Sequence, residues 1–336
     1  MTFRAGKNDW LRTINFAFTY WKRNTDNTIY NVDIAPSTGG GTFLQNAFGL
    51  GSNGLQFSIN AAVYTGKKLT WNSIINWGHQ TSEITKVIGA DVVLISSAGS
   101  TNYVLTPGLK IGQLFGYHML RQVDEKDAAG NDIIPKAQQV NYEVASNGYV
   151  VDKASKRPVV NSIQSSFGDP NPKFNMSFIN DFSFGGFLTF NMQWDWVYKS
   201  HLYNQTKEWM YRDGISGDYE KPITINGETG AWTAFYRGVY QAGANNGTKD
   251  YFYENASFLR LRNLSVGLDV AKFVTVKGIR KIQVVLSGRN LLTKTKYTGF
   301  DPEISSGTSN STWDRGTDHN TMPNLKFYSV GLNLGF

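Results

Sequence analysis

A membrane-crossing antiparallel β-barrel is the fold class this sequence predicts, and three observations predict it. Apolar and polar residues alternate with period two over several segments. Those segments run to about ten to twelve residues, roughly twice the ordinary globular strand and the length a tilted strand needs to cross a bilayer. The connections alternate between short and long, as turns and outer loops do in transmembrane barrels. Composition agrees, since the 336 residues are 14% aromatic but only 18% charged, with 34 Gly, 9 Pro and no Cys. That excludes disorder, a disulfide framework, thiolate metal sites and a Cys nucleophile. No apolar run approaches the roughly 18 residues of a helical span, which says nothing against crossing by strands. A water-soluble β-sandwich is the alternative, although it normally uses Val/Ile/Leu cores and shorter strands.

Strands are predicted at residues 10–22, 27–34, 54–65, 68–79, 174–184, 187–198, 258–268, 281–290 and 325–336. The first sets Ile14, Phe16, Phe18 and Tyr20 against Thr13, Asn15 and Thr19, and a short link at 23–26 leads to the second. The third alternates Leu55, Phe57 and Ile59 with Gln56, Ser58 and Asn60, and the fourth carries Leu69, Trp71, Ile75 and Trp77. From Phe174 to Tyr198 one long hairpin turns at Gly185-Gly186, with Phe178, Phe182, Phe190 and Trp194 opposing Ser177, Asp181, Asn191 and Asp195. In the seventh strand the alternation slips between Leu261 and Leu264, which predicts a bulge near Arg262-Asn263 that turns Arg260 and Arg262 to the polar side. The last strand pairs Tyr328, Val330, Leu332, Leu334 and Phe336 with Ser329, Gly331, Asn333 and Gly335. Short links fall at 23–26, 66–67, 185–186 and 269–280, and long ones at 35–53, 80–173, 199–257 and 291–324; an extra hairpin of 92–95 with 101–105 fits inside the second. An odd count with Met1 on the long-loop side reads as part of a barrel whose remainder precedes this sequence.

The C-terminal third carries recognisable blocks. Residues 255–267, reading Asn-Ala-Ser-Phe-Leu-Arg-Leu-Arg-Asn-Leu-Ser-Val-Gly, and 287–303, from Ser287-Gly288-Arg289-Asn290 to Asp301-Pro302-Glu303, resemble the SusC/RagA-type TonB-linked outer-membrane transporters. Ser52-Asn53-Gly54-Leu55-Gln56, residues 112–117, residues 168–173 and the closing 328–336 match in the same order. The resemblance implies that residues 1–336 form about nine C-terminal strands of a large plugged barrel, the plug and N-terminal domains being absent. It also implies Gram-negative outer-membrane uptake of a glycan or peptide, with a SusD-like surface lipoprotein and the TonB complex as partners of the intact protein. The barrel would face outer-membrane lipid. A passive porin-like or structural β-module is the alternative function.

No cofactor or metal is expected. Gly49-Leu50-Gly51-Ser52-Asn53-Gly54 fits a dinucleotide fingerprint, but a strand follows it where a helix is required. Asp301 and Glu303 are paired carboxylates around a proline, poorly spaced to flank one glycosidic bond; the resemblance implies a loop lock, with a loop cation held by their oxygens as the alternative. The four His are scattered, and no nucleophile elbow occurs, so no catalytic residue is expected. The net charge of +7 is dispersed, which argues against nucleic acid. Aromatic residues in the long links, above all Trp209, Tyr211, Trp232 and Tyr236, are candidate ligand contacts, because rings on loops can stack on a sugar; loop self-packing is the competing reading. Tyr328 and Phe336 resemble the terminal aromatic signal for barrel assembly.

Overall fold

The computed structural model describes every residue except 1, 5–8, 34–36, 38, 89–92, 97–101, 128, 162, 242–249, 275 and 305–315. Its largest unit is a nine-stranded sheet of β1 (Thr2–Arg4), β2 (Trp10–Asp33), β3 (Thr42–Thr65), β4 (Leu69–Val87), β5 (Phe174–Phe184), β6 (Leu188–Tyr198), β7 (Phe258–Asp269), β8 (Lys281–Thr295) and β9 (Phe327–Gly335). Spatial order follows chain order, and every neighbouring pair is antiparallel. β1 and β9 are edges, so the barrel is not closed within this chain.

Register carries the alternation across strands. Phe57, Trp77, Met176 and Trp196 form one row of the apolar face, and Trp71, Phe182, Phe190 and Val266 form another. Rings cluster in two bands: Trp77 stacks on Phe57 with centroids 5.2 Å apart and Phe174 meets Trp196 at 5.0 Å, while Trp71 stacks on Phe182 at 5.5 Å. Trp71 and Trp77 are six residues apart in β4, which separates the bands by about 20 Å along the strand, within the roughly 25 Å apolar belt of outer-membrane barrels. Asn180 lies on this face, and its side-chain carbonyl accepts from Trp71 Nε1 at 3.1 Å. The polar group is thereby satisfied where lipid would offer no partner. The opposite face aligns Ser58, Asn76, Ser177, Asp195 and Arg260 in one row and Asn72, Asp181, Asn191, Ser265, Ser287 and Ser329 in another.

Two sequence expectations change. Trp10–Asp33 is one strand of 24 residues, not the hairpin expected from 10–22 and 27–34. The polar Asp26-Asn27 pair, which reads as a turn, is instead an irregularity: Asn27 takes φ 59° and the register with β3 shifts around Thr25 and Thr28. The ninth strand is therefore β1, paired through Thr2↔Asn15. The expectation for Met1 lies outside the described residues. Likewise β3 starts at Thr42, β4 runs to Val87 and β8 to Thr295. These extensions lack clean alternation because, beyond the apolar belt, neither face is selected for lipid; there Ala47, Phe48 and Ile84 are instead buried against Leu105 and Ile111 of the long link.

The long links fold into a body of their own. A hairpin of Val93–Ser96 with Asn102–Leu105 joins Leu114–Gly116 and Ser165–Phe167 in a four-stranded sheet. His201–Asn204 pairs antiparallel with Tyr253–Asn255 and parallel with Thr317–Asp318, tying two different links together. Helix α1 (Gln205–Asp213) starts where the Asn204 side chain accepts the Lys207 N–H and stops at Gly214, whose φ of 71° closes the last turn. It packs with α2 (Thr233–Gln241) over a buried cluster that includes Tyr211, Phe235, Tyr236, Val239 and Phe252.

Candidate functional site on the polar face

A groove of about 660 Å³ opens on the polar face, lined by Gln56, Ser58, Asn76, Asn175, Ser177 and Asp195, with Arg262 and Glu303 at its rim. Period two puts these side chains on one face, and register brings them level: Gln56 is opposite Gly78, and Gly78 opposite Asn175. Short bonds fix much of the wall. Ser58 donates to Asn76 at 2.7 Å, Ser177 to Asp195 at 3.1 Å, and Gln193 to Asp195 at 3.0 Å.

The rim is an ion-pair network on the predicted bulge, where register shifts between Leu261 and Asn263. Arg260, only 2% exposed, donates to Asp301 at 2.5 Å, to Glu303 at 2.6 Å and to Thr293 at 3.0 Å. Arg262 reaches Asp195 and Glu303, each at 2.6 Å. The backbone N–H of Asn324 also donates to Asp301, and the Asn324 side chain to Glu303, so both ends of the β8–β9 link are held at one point. Burial works against ionisation of Asp301, but the Arg260 guanidinium and the N–H groups of Glu303 and Asn324 outweigh it and hold the carboxyl below its usual range. Asp301 and Glu303 thus form a lock on two arginines. Their hydrogen-bonding capacity is committed to that role, and they do not face each other across a gap as an acid and base would.

Tyr211 and Tyr236, expected as ligand contacts or packing residues, are 0% and 3% exposed. Tyr211 donates to Asp218 at 2.7 Å and lies 2.9 Å from the Tyr251 hydroxyl, while Tyr236 donates to the Lys221 carbonyl. Burial pushes the Tyr211 hydroxyl far above its ordinary pKa, reinforced by Tyr251 and Asp218. In this arrangement both rings are packed inside the loop body, as the self-packing reading expects. Trp209 and Trp232 keep half-buried rings: Trp209 meets the His319 edge at 4.7 Å, and Trp232 donates to the Ile223 carbonyl at 2.8 Å beneath the Lys156 ammonium. Tyr211, Tyr236 and Trp232 share one packed cluster, and Trp209 lies outside it. Tyr328 and Phe336 are 77% and 80% exposed at the sheet edge and chain end.

The remaining motifs find ordinary places. The glycine-rich run 49–54 lies inside β3. Asp127 accepts N–H groups from Ala129 and Asn131 in a turn. Asp318, on the strand beside Tyr203 and Asn204, accepts the Tyr297 hydroxyl. Among the described residues no cluster suited to a metal ion occurs. Sequence reasoning missed the groove itself, because its lining comes from strands whose mutual register is set only by pairing.

No protein-family model matches the chain. It is 25% identical to the TonB-dependent receptor P3 of Formosa agariphila over 96% of this chain, and 26% identical to the TonB-dependent receptor SusC of Bacteroides thetaiotaomicron over 94%. Those alignments cover 32% and 29% of the relatives, so the chain spans about a third of their length. Its fold matches the RagAB peptide transporter with a TM-score of 0.65 over 96% of this chain and 33% of that one, at 18% identity. The architecture is thus a partial transmembrane β-barrel of the outer-membrane transporter class. In sequence the chain is similar to TonB-dependent receptors, SusC among them.

Proposed function

We propose that the chain forms part of the barrel wall of an outer-membrane importer that takes up a glycan or peptide nutrient in a Gram-negative cell. The observation that carries this reading is the two-faced sheet, with banded aromatics on one side and, on the other, an amide- and hydroxyl-lined groove rimmed by locked charges. Such a wall binds and passes solutes. The likeness to receptors named as TonB-dependent supports energy coupling through TonB, and the likeness to SusC supports a SusD-like lipoprotein partner on the outer surface, both acting on the intact protein. The test is uptake by cells expressing the full-length protein. Nutrient uptake lost on deletion of either its gene or tonB supports the reading, whereas uptake that survives loss of TonB favours the passive porin-like alternative.

Two residue roles belong to the same proposal. Trp209 and Trp232 carry the only partly exposed rings of the four loop aromatics singled out from the sequence, and stacking on solute is assigned to them; unchanged ligand affinity in Trp209→Ala and Trp232→Ala removes that role. The exposed Tyr328 and Phe336 are assigned to recognition by the barrel-assembly machinery. Deleting Phe336 from the full-length protein is expected to lower the heat-modifiable, membrane-inserted fraction, and normal insertion removes the assignment.

A further inference from the structure

Gly78 sits in the middle of β4, in a row where every other position carries a side chain, and nothing in the fold requires a glycine there. Its backbone is ordinary extended strand, and a Cβ built on it meets nothing nearer than Gln56 Cγ at 3.7 Å, a normal contact. Gly331 is as open, but it lies on the edge strand β9; three glycines of paired strands are different, since a Cβ on Gly54 would strike Trp21 at 2.6 Å, on Gly267 Thr189 at 2.5 Å, and on Gly288 Leu291 at 2.7 Å. Those three are glycine because a neighbour fills the space. Glycine weakens a strand interior, and where packing does not explain it, the position marks the close approach of something else to the wall.

The neighbours say what approaches. Gln56 and Asn175 flank Gly78 on adjacent strands, both exposed, and among the described residues neither side-chain amide has a hydrogen-bond partner. The result is a notch with a free primary amide on each side, and each amide both donates and accepts. Two strand spacings separate the amides by about 9.6 Å. Two hydrogen bonds of about 2.9 Å leave roughly 4 Å between them, room for one ring-sized group. Charge at the rim is internally committed, since Arg262 is held by Asp195 and Glu303, so the notch selects for a ligand without net charge. A peptide backbone would seek an open strand edge, but β4 is paired on both sides here. Hydroxyl groups, which donate and accept from one atom, match the paired amides without needing such an edge.

We propose that the Gly78 notch, between Gln56 and Asn175, is a lumenal subsite for one unit of a neutral sugar. The assignment rests on the importer reading and names its solute class. Binding is measured on detergent-purified full-length protein by saturation-transfer NMR and calorimetry, with maltose, cellobiose, lactose, mannobiose and N,N′-diacetylchitobiose as probes and trialanine as the peptide control. At least one sugar binds the wild type, Gly78→Val weakens it at least ten-fold, and Gln56→Ala and Asn175→Ala weaken it several-fold each. A Cβ has room at position 78, the Gln56 side chain beside it is exposed, and valine favours strands, so the thermal midpoint of the unliganded protein is expected to stay within error of wild type. The proposal is overturned if no sugar binds, if Gly78→Val binds as wild type does, or if trialanine alone is displaced by that substitution. A Gly78→Val variant that unfolds at markedly lower temperature also overturns it, because the notch would then be packed against another part of the full-length protein. Uptake measured in parallel separates the two readings: TonB-dependent uptake of a peptide with no sugar binding leaves the importer standing and removes only the subsite.

Discussion

Trp77 and Tyr211 are aromatic residues of one chain held in opposite ways. Trp77 lies on the apolar face of the sheet, flanked by Phe57 and Phe174, with no layer of protein covering it. Tyr211 is wholly enclosed in the loop body, ringed by Tyr219, Tyr236, Tyr251 and Phe252, and its hydroxyl is spoken for by Asp218 and Tyr251. Between its two aromatic bands the sheet takes its order from the backbone ladder and its apolar surface suits lipid; the outer ends of β3 and β4, at Ala47, Phe48 and Ile84, bury side chains against a long link. The loop body, by contrast, buries its rings as a soluble domain does. One chain therefore obeys two solvents, and the ion-pair rim at Arg260 and Arg262 is where they join.

The difference can be broken most sharply at that rim. Arg260→Met in the full-length protein leaves Asp301 buried beside no cation, and removing one partner of a buried pair typically costs about 3–5 kcal/mol. Cleavage of the β8–β9 link by added protease is expected to rise strongly while the sheet remains inserted; unchanged resistance would show that Asn324 alone holds the link. Next in size, Tyr211→Phe keeps the ring but strips Asp218 and Tyr251 of a buried hydroxyl, a loss of about 1–3 kcal/mol. Hydrogen exchange should quicken in α1 and α2 and not in β4–β7, and equal loosening of both regions would contradict their independence.

A pH effect separates the regions further. Asp250 in the loop body has its carboxyl pushed up to about 6 by burial, with the Met119 N–H, Arg121 and His118 acting in the other direction. A carboxyl raised in the folded state is easiest to hold when protonated, so its contribution is fully present below its unfolded value near 3.8 and is lost as pH rises through about 6. Protection of the backbone amides around Met119 and Tyr251 is expected to be greater at pH 4 than at pH 7 once intrinsic exchange is corrected, and Asp250→Asn should flatten that dependence. A slope that persists in the Asn variant would contradict the assignment to Asp250. The smallest effect is expected on the apolar face. Trp71→Phe removes the donor to Asn180 at a cost of about 1 kcal/mol. A loss well above that would show that Asn180 has no other recourse, as in a dry environment.

The same division governs what could be read without coordinates. Alternation exposed β5 and β6 and their Gly185-Gly186 turn almost to the residue, since both glycines take positive φ, at 55° and 73°. The slip at Leu261–Leu264 exposed the Arg262 bulge for the same reason: in a sheet with one lipid face, a broken period is visible. The Asp26-Asn27 pair misled, because a turn-forming pair and a bulge inside a long strand share one local chemistry. In the loop body no period exists, so nothing in the spacing of Tyr211 and Tyr236 could separate a buried ring from a binding platform.

By itself the sequence determined the class of the fold, the faces of the main strands and the places where short turns must fall, because lipid on one side and water on the other impose a two-residue period on neighbours in the chain. Tertiary structure alone decided that Arg260 meets Asp301 and Glu303, more than forty residues away, and that Gly78 falls between Gln56 and Asn175. Those meetings depend on strand register and on the path of a long link, which are properties of the whole sheet and are written in no single stretch of it.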